Sequence, residues 1–225
     1  MLKDELGIDL VINPEKEAAL EIAKLIKFPS VRSVDTFAHG KVDLVGFTIV
    51  DNDGLDGYAI CDIKYIKDSI LITGVERDGN IHIPTGDFIL RKDDKVYVIG
   101  EHKKIETFFK KLGKFQDKIR NPLIIGGGRI THYLVNIINK IGVTSKIVEF
   151  DIDKCIELNE TLPEAIVING DGTDHELLLS ENLQDADAFI ALTGRDEENI
   201  ITSLFAMNNN VKNVITKITR FNIML

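Results

Sequence analysis

Residues 121–153 read NPLIIGGGRITHYLVNIINKIGVTSKIVEFDID, and the changes of period along this stretch decide the fold. Leu123, Ile124 and Ile125 make a short apolar run that stops at Gly126-Gly127-Gly128. Beyond it Ile130, Leu134, Ile137, Ile138 and Ile141 recur every three or four residues, the spacing of one helix face. A second apolar run, Ile147-Val148, ends in Glu149. Strand, glycine turn, helix, strand, acid is the order that holds a nucleotide. Glycines let the backbone turn sharply and approach a pyrophosphate, and a helix N-terminus supplies free N–H groups and a positive dipole end. Glu149 follows Gly126 by 23 residues, near the roughly 20-residue spacing of a ribose-binding carboxylate. Thr131 stands where G-x-G-x-x-G has its third glycine, so either the helix sits slightly off the strand or the side chain is absorbed locally. The plain alternative is a doubly wound domain that keeps the turn for its geometry and binds nothing.

Composition narrows the class. The chain has 225 residues, 44% hydrophobic and 28% charged, ordinary values for a globular protein with room for one large or two small cores. No apolar run approaches the ~20 residues of a membrane span, and Met1-Leu2-Lys3-Asp4-Glu5 does not resemble a signal peptide. A cytoplasmic location is expected. The net charge of −9 argues against nucleic acid as a partner, because phosphate binding needs a basic footprint. Cys61 and Cys155 lie far apart, and the five histidines follow no ligand spacing, so neither a disulfide framework nor a metal site is expected.

The remaining elements fall into place around the opening stretch. Ile8–Ile12 reads as a strand, and Pro14 opens a helix whose Ala18, Ala19, Ile22, Ala23, Leu25 and Ile26 give it a broad apolar side. Neither is stable alone, so both must dock onto a sheet. Residues 28–118 read as a small α+β domain of four or five mostly antiparallel strands. Its strands lie at 42–50, 69–75, 81–83 and 95–100, with a hairpin turn at Asp78-Gly79 and a closing helix through Ile105, Phe108, Phe109 and Leu112. His82 reads as a solvent-facing strand residue, and Gly113 to Arg120 as a linker. From residue 119 a βαβ rhythm adds strands at 165–168, 188–192 and 214–218. Asp153 is expected to cap a helix carrying Cys155, an ordinary helix residue with no base beside it. Thr173 and Glu176 have capping-box spacing. The fold class is therefore α/β, a doubly wound parallel sheet preceded by a small α+β domain.

In such a sheet the ligand lies outside the carboxyl ends of the strands. The candidate binding set there is Gly126, Gly128, Arg129, Ile130, Thr131, Glu149, Asp151, Gly170, Asp171, Thr193 and Asn199, with Glu149 on a ribose and Asp171 on the adenine side. Helix capping by Asp153, Thr173 and Asp196 accounts for part of this polarity without a ligand. His132 lies near the expected phosphate position, although an exposed helical histidine is the simpler reading. No catalytic set accompanies these residues. An NAD-dependent oxidoreductase would need an acid/base group and a substrate domain after the nucleotide domain; a structural oligomerisation module with a non-binding pocket would need neither.

The segments IIGGGRI, KIVEFDID, VINGDGTDHELL, AFIALTGRDEENI and VITKITR resemble, in order and spacing, the second Rossmann domain of the TrkA-type regulators of bacterial Trk and Ktr potassium uptake, of the RCK or KTN class. VDLVGFTI, GVERDG, IPTGDFIL and DDKVYVIG resemble that family's C-terminal small domain. GIDLVINPEKEAALEIAKLI resembles the last strand and helix of a first Rossmann domain. The resemblance implies binding of NAD (NAD+ or NADH), or of ATP or ADP. It also implies a homo-oligomer, dimer or tetramer, seated on a TrkH-like membrane subunit at the inner face of the plasma membrane. It further implies a truncated chain: 1–27 as the tail of a first Rossmann domain, 28–118 as the small domain, and 119–225 as a second Rossmann domain lacking its own last strand and helix. Residues 1–27 would then dock on that core, either their own or a neighbour's in exchange.

Overall fold

The computed structural model describes residues 12–27, 33–37, 41–51, 53–64, 70–113 and 119–220. Most of the expected first strand (8–11), the linker core (114–118) and residues 221–225 lie outside them. The chain divides into two compact units, residues 27–118 and residues 1–26 with 119–225.

The first unit is an antiparallel sheet of β1 (Ser33–Phe37), β2 (Val42–Thr48), β3 (Leu71–Arg77), β4 (Asn80–His82) and β5 (Lys95–Glu101), in the order β1-β2-β5-β3-β4. β1 was not expected from the sequence: SVDTF offers only two apolar residues, and its pairing with β2 is what makes it a strand. Asp78 and Gly79 both hold positive φ, 51° and 75°, as a two-residue type I′ hairpin turn requires. Helix α2 (His102–Lys111) brings Ile105, Phe108 and Phe109, one residue face, against Val45, Phe47, Ile72, Val96 and Val98. Phe47, Phe108 and Phe109 meet edge-on, with ring centroids 5.3–5.8 Å apart. Across the sheet Asp94 is buried and takes a bidentate pair of 2.7 Å bonds from Arg77 Nε and Nη2, plus the Arg91 N–H at 2.8 Å. His82 is exposed, as expected.

The second unit carries the parallel sheet: β6 (Pro122–Ile125), β7 (Lys146–Glu149), β8 (Ile166–Asn169), β9 (Ala188–Ala191) and β10 (Asn213–Thr216), in the order β10-β9-β6-β7-β8. Crossovers run through α3 (Arg129–Ile138), α4 (Ile152–Thr161), α5 (His175–Ser180) and α6 (Asp196–Asn208). Strand alternation distributes the core over both faces. Ile124, Ile147, Ala188 and Ile190 meet α3 and α4 on one side, and Leu123, Ile125, Val148, Phe189 and Ala191 meet α5 and α6 on the other. The N-terminal helix α1 (Pro14–Lys27) joins the α3/α4 side of its own chain, burying Ala19, Ile22, Ala23 and Ile26 there. Asn13 Nδ2 donates to Tyr133 Oη at 3.1 Å, and Glu15 pairs with Arg129 at 3.6 Å.

Three expected caps are corrected. Asp151, not Asp153, caps α4 by accepting from the Asp153 and Lys154 N–H groups. Asp174, not Thr173, caps α5, because Thr173 is already bound to Asp171. Asp196 caps nothing: it is the first residue of α6, and its carboxylate serves the chain beyond β10.

Candidate functional site

The carboxyl ends of β6, β7, β8 and β9 open into one cleft of about 570 Å³, within the ≈ 300–1,000 Å³ range of small-molecule sites. Its floor is apolar (Ile125, Val148, Leu192) and its rim is built from strand-end loops.

The glycine turn forms the first wall, and its three glycines are not equally constrained. Gly126 holds φ +96°, and a Cβ on it would lie 3.2 Å from the Thr193 backbone, so only glycine fits. A Cβ on Gly127 would strike Leu158 Cδ1 at 2.4 Å. A Cβ on Gly128 would meet nothing within 4 Å; its backbone borders open cleft at the start of α3. Thr131 is fully buried, and its hydroxyl donates to the Gly126 carbonyl. The third-glycine position is thus filled by a side chain that satisfies its own polar atom inside the turn, and the helix keeps its place.

Glu149 ties two walls together. Its Oε2 accepts from the Gly127 N–H at 2.6 Å and its Oε1 from the Asp151 N–H at 2.9 Å. An ionised carboxylate has about four lone-pair sites, so each oxygen keeps capacity for a ligand hydroxyl. Asp171 is exposed at the end of β8 and accepts both the N–H (2.8 Å) and the hydroxyl (2.7 Å) of Thr173. Those two bonds, with the Arg195 guanidinium nearby, hold its carboxyl below the usual aspartate range. Thr193 closes the β9 side: its hydroxyl donates to Asn199 Oδ1 at 2.7 Å.

Six of the expected residues therefore border one cavity: Gly126, Gly128, Glu149, Asp151, Asp171 and Thr193. Five do not. Arg129 projects into solvent toward Glu15, Ile130 packs among the α1/α3 apolar residues, and Thr131 is inside the turn. Gly170 faces Leu177 Cδ2, which a Cβ would approach to 2.4 Å. Asn199 is 1% exposed and bonded on every side. His132 shares its ring nitrogen with Asn136 rather than with the cleft.

Sequence reasoning passed over Phe150, Lys154, Arg195 and Glu198, all on the cleft wall. Phe150 carried a visible signal: a large apolar side chain between two acids at a strand end, 76% exposed in the fold. Lys154 and Arg195 supply positive charge beside the acids, and Arg195 is held by Glu198 at 2.6 Å. Cys155, behind the wall, donates its thiol to the Glu149 carbonyl at 3.3 Å, and burial pushes its pKa up, the opposite of an activated thiolate.

These groups could hold a phosphate-bearing ligand: an open backbone cradle at a helix N-terminus, a carboxylate at the next strand end, and an exposed aromatic beside it. Family models agree with this architecture. The TrkA-N domain matches residues 123–222 and the TrkA-C domain residues 44–113, together more than half of the chain. Curated relatives include the Trk system potassium uptake protein TrkA homolog 2 of Methanosarcina mazei, 35% identical over 220 residues, 96% of this chain and 48% of that protein. The TrkA homolog of Archaeoglobus fulgidus is 34% identical over 96% of this chain and 49% of its own length. TrkA of Halomonas elongata is 32% identical over 96% and 47%. The chain spans about half the length of the curated relatives it matches. Among solved structures, the GsuK RCK domain superposes with a TM-score of 0.62 at 16% identity, covering 95% of this chain and 46% of that one. The GsuK channel bound to NAD gives 0.58 at 14%, covering 95% and 42%. At these identities the structural likeness establishes the fold. The chain carries a domain of the TrkA-C family followed along the sequence by a domain of the TrkA-N family.

Proposed function

We propose that this chain is a nucleotide-sensing regulatory module of potassium uptake, and that adenine nucleotides, NAD+ or NADH and also ATP or ADP, bind in the cleft at the ends of β6 to β9. The observation that carries the reading is the cradle at Gly126–Gly128 opposite Glu149, in a domain whose relatives are potassium uptake proteins. Phosphates take the Gly128 N-terminal end of α3, Glu149 takes ribose hydroxyls on its remaining lone pairs, and Phe150 and Asp171 flank the base. The site binds and orients; turnover is not required of it. A ligand moves an assembly only through different affinity for its two arrangements. Binding here acts by biasing domain arrangement in a homo-oligomer, in which residues 1–27 are a candidate for exchange between chains. The receiver is a TrkH-like transporter subunit at the inner face of the membrane. No helix among the described residues is long and apolar enough to cross a membrane.

Thermal shift tests the binding step. At a hundredfold excess over Kd, stabilisation of about 2.7 kcal/mol raises Tm by roughly 5–10 °C. Gly128→Val places its side chain in the open cradle without backbone strain; it is expected to abolish that shift while costing under about 1 kcal/mol of stability at the helix cap. An unshifted Tm with all four nucleotides supports the non-binding oligomerisation module instead. Consumption of NADH with small carbonyl substrates would restore the oxidoreductase.

A further inference from the structure

A doubly wound sheet offers two mononucleotide halves, on either side of the point where strand order reverses. Here that point lies between β6 and β9. The cleft runs over the ends of β6, β7, β8 and β9 and reaches Glu198 and Thr202 of α6; none of residues 213–220 lines it. At the ends of β9 and β10, where the second nucleoside of a dinucleotide would lie, the chain's own groups are bonded to one another.

Asn199 is the plug. Its Nδ2 donates to the Thr193 carbonyl at 3.2 Å and to the Lys217 carbonyl at 3.1 Å. Its Oδ1 accepts from the Thr193 N–H at 3.1 Å and the Thr193 hydroxyl at 2.7 Å. An amide side chain has two donor and two acceptor positions, and all four are spent. Lys217 Nζ adds a bond to the Thr193 carbonyl at 3.1 Å. Buried Asp196 then straps the following chain down, accepting from Thr219 N and Oγ1 at 3.0 Å each and from Arg220 N at 2.8 Å. The two helix N-termini also differ in charge. The first turn of α3 has no acid, whereas that of α6 has Asp196, Glu197 and Glu198, which offset the positive end of its dipole.

We propose that the site recognises a single adenosine-phosphate unit and leaves the second nucleoside of a dinucleotide without a seat. Asn199 and Lys217 set this limit by closing the second half. The inference rests on the cleft being an adenine-nucleotide site. The ligand class is then any molecule that presents an ADP moiety, and the oxidation state of a nicotinamide is not read by direct contact.

Isothermal titration of the full chain with ADP-ribose, NAD+, NADH and nicotinamide mononucleotide tests it. The expected result is that the first three bind within about threefold of one another, as ligands with the same recognised contacts should, and that nicotinamide mononucleotide gives no heat of binding. Either NAD+ or NADH binding roughly tenfold or more tightly than ADP-ribose, a difference of ~1.4 kcal/mol, overturns the one-unit site and leaves nucleotide binding intact. So does saturable binding of nicotinamide mononucleotide. If none of the four binds, the nucleotide reading itself fails and takes this inference with it.

Discussion

Replacing Thr131 by valine keeps its shape and removes the one hydroxyl that donates to the Gly126 carbonyl. We expect a loss of about 1 kcal/mol in urea unfolding, the net worth of an ordinary intramolecular hydrogen bond, and weaker nucleotide binding because the turn loses its tie. Thr131→Val with unchanged stability would falsify the account of how a side chain replaces the third glycine. In the TrkA-C unit the decisive residue is Asp94. Burial opposes its ionisation, but the Arg77 guanidinium and the Arg91 N–H prevail and its pKa lies below the usual value. A group whose folded pKa is depressed adds stability above its unfolded pKa, about 3.9 for aspartate, and loses it as pH falls through the folded value. Acid titration followed by circular dichroism should therefore show this unit weakening only below about pH 4. Asp94→Ala strands a guanidinium that is 21% exposed and should cost about 3–5 kcal/mol at neutral pH; a change under about 1 kcal/mol, the surface-pair level, would remove the pair from the stability account.

At the scale of elements, α1 is held by an apolar face rather than by its termini. Ile26 is 2% exposed against the α3/α4 side of the sheet. Ile26→Ala should cost about 2–5 kcal/mol, as cavity-forming core truncations do, and should raise hydrogen exchange along Pro14–Lys27 first. Exchange that stays slow there would mean the helix draws its stability from elsewhere. The apolar spacing of α1 and α3 and the unbroken runs of β6 and β9 were legible in the sequence because burial on a period of two or three to four leaves a pattern; α6 was not, since it buries Asn199, Thr202, Ser203 and Ala206 and leaves Ile201 and Leu204 exposed. β1 was not, because its strand character comes from β2 across the sheet and not from SVDTF. Caps were misplaced by one or two residues wherever several acids compete, as at Asp151 and Asp153 or Thr173 and Asp174. The candidate site was legible where chemistry follows the chain, from the glycine turn to Glu149 and Asp171. The burial of Asn199 away from the cleft was not legible, because its partners Thr193 and Lys217 are brought together only by the pairing of β9 with β10.

At the scale of the whole molecule, the parallel-sheet unit is discontinuous: residues 1–26 and 119–225 belong together, and residues 27–118 form their own body between them. Asn13 and Tyr133, joined by a hydrogen bond, stand 120 positions apart. At ~5–20 residues per second of synthesis, α1 leaves the ribosome roughly 6–24 s before its partner helix exists. The intervening unit is contiguous and closes through nearer contacts, so it is placed to fold first. During that interval Ile22 and Ile26 lack α3 and the sheet strands they pack against in the folded unit. Pulse-labelled hydrogen exchange during refolding should protect the amides of β3, β5 and α2 before those of α1; simultaneous protection would contradict this order. The parallel-sheet unit is thus completed by joining an early helix to a sheet made later, and for that time the apolar side of α1 is a surface on which a chaperone can hold the chain.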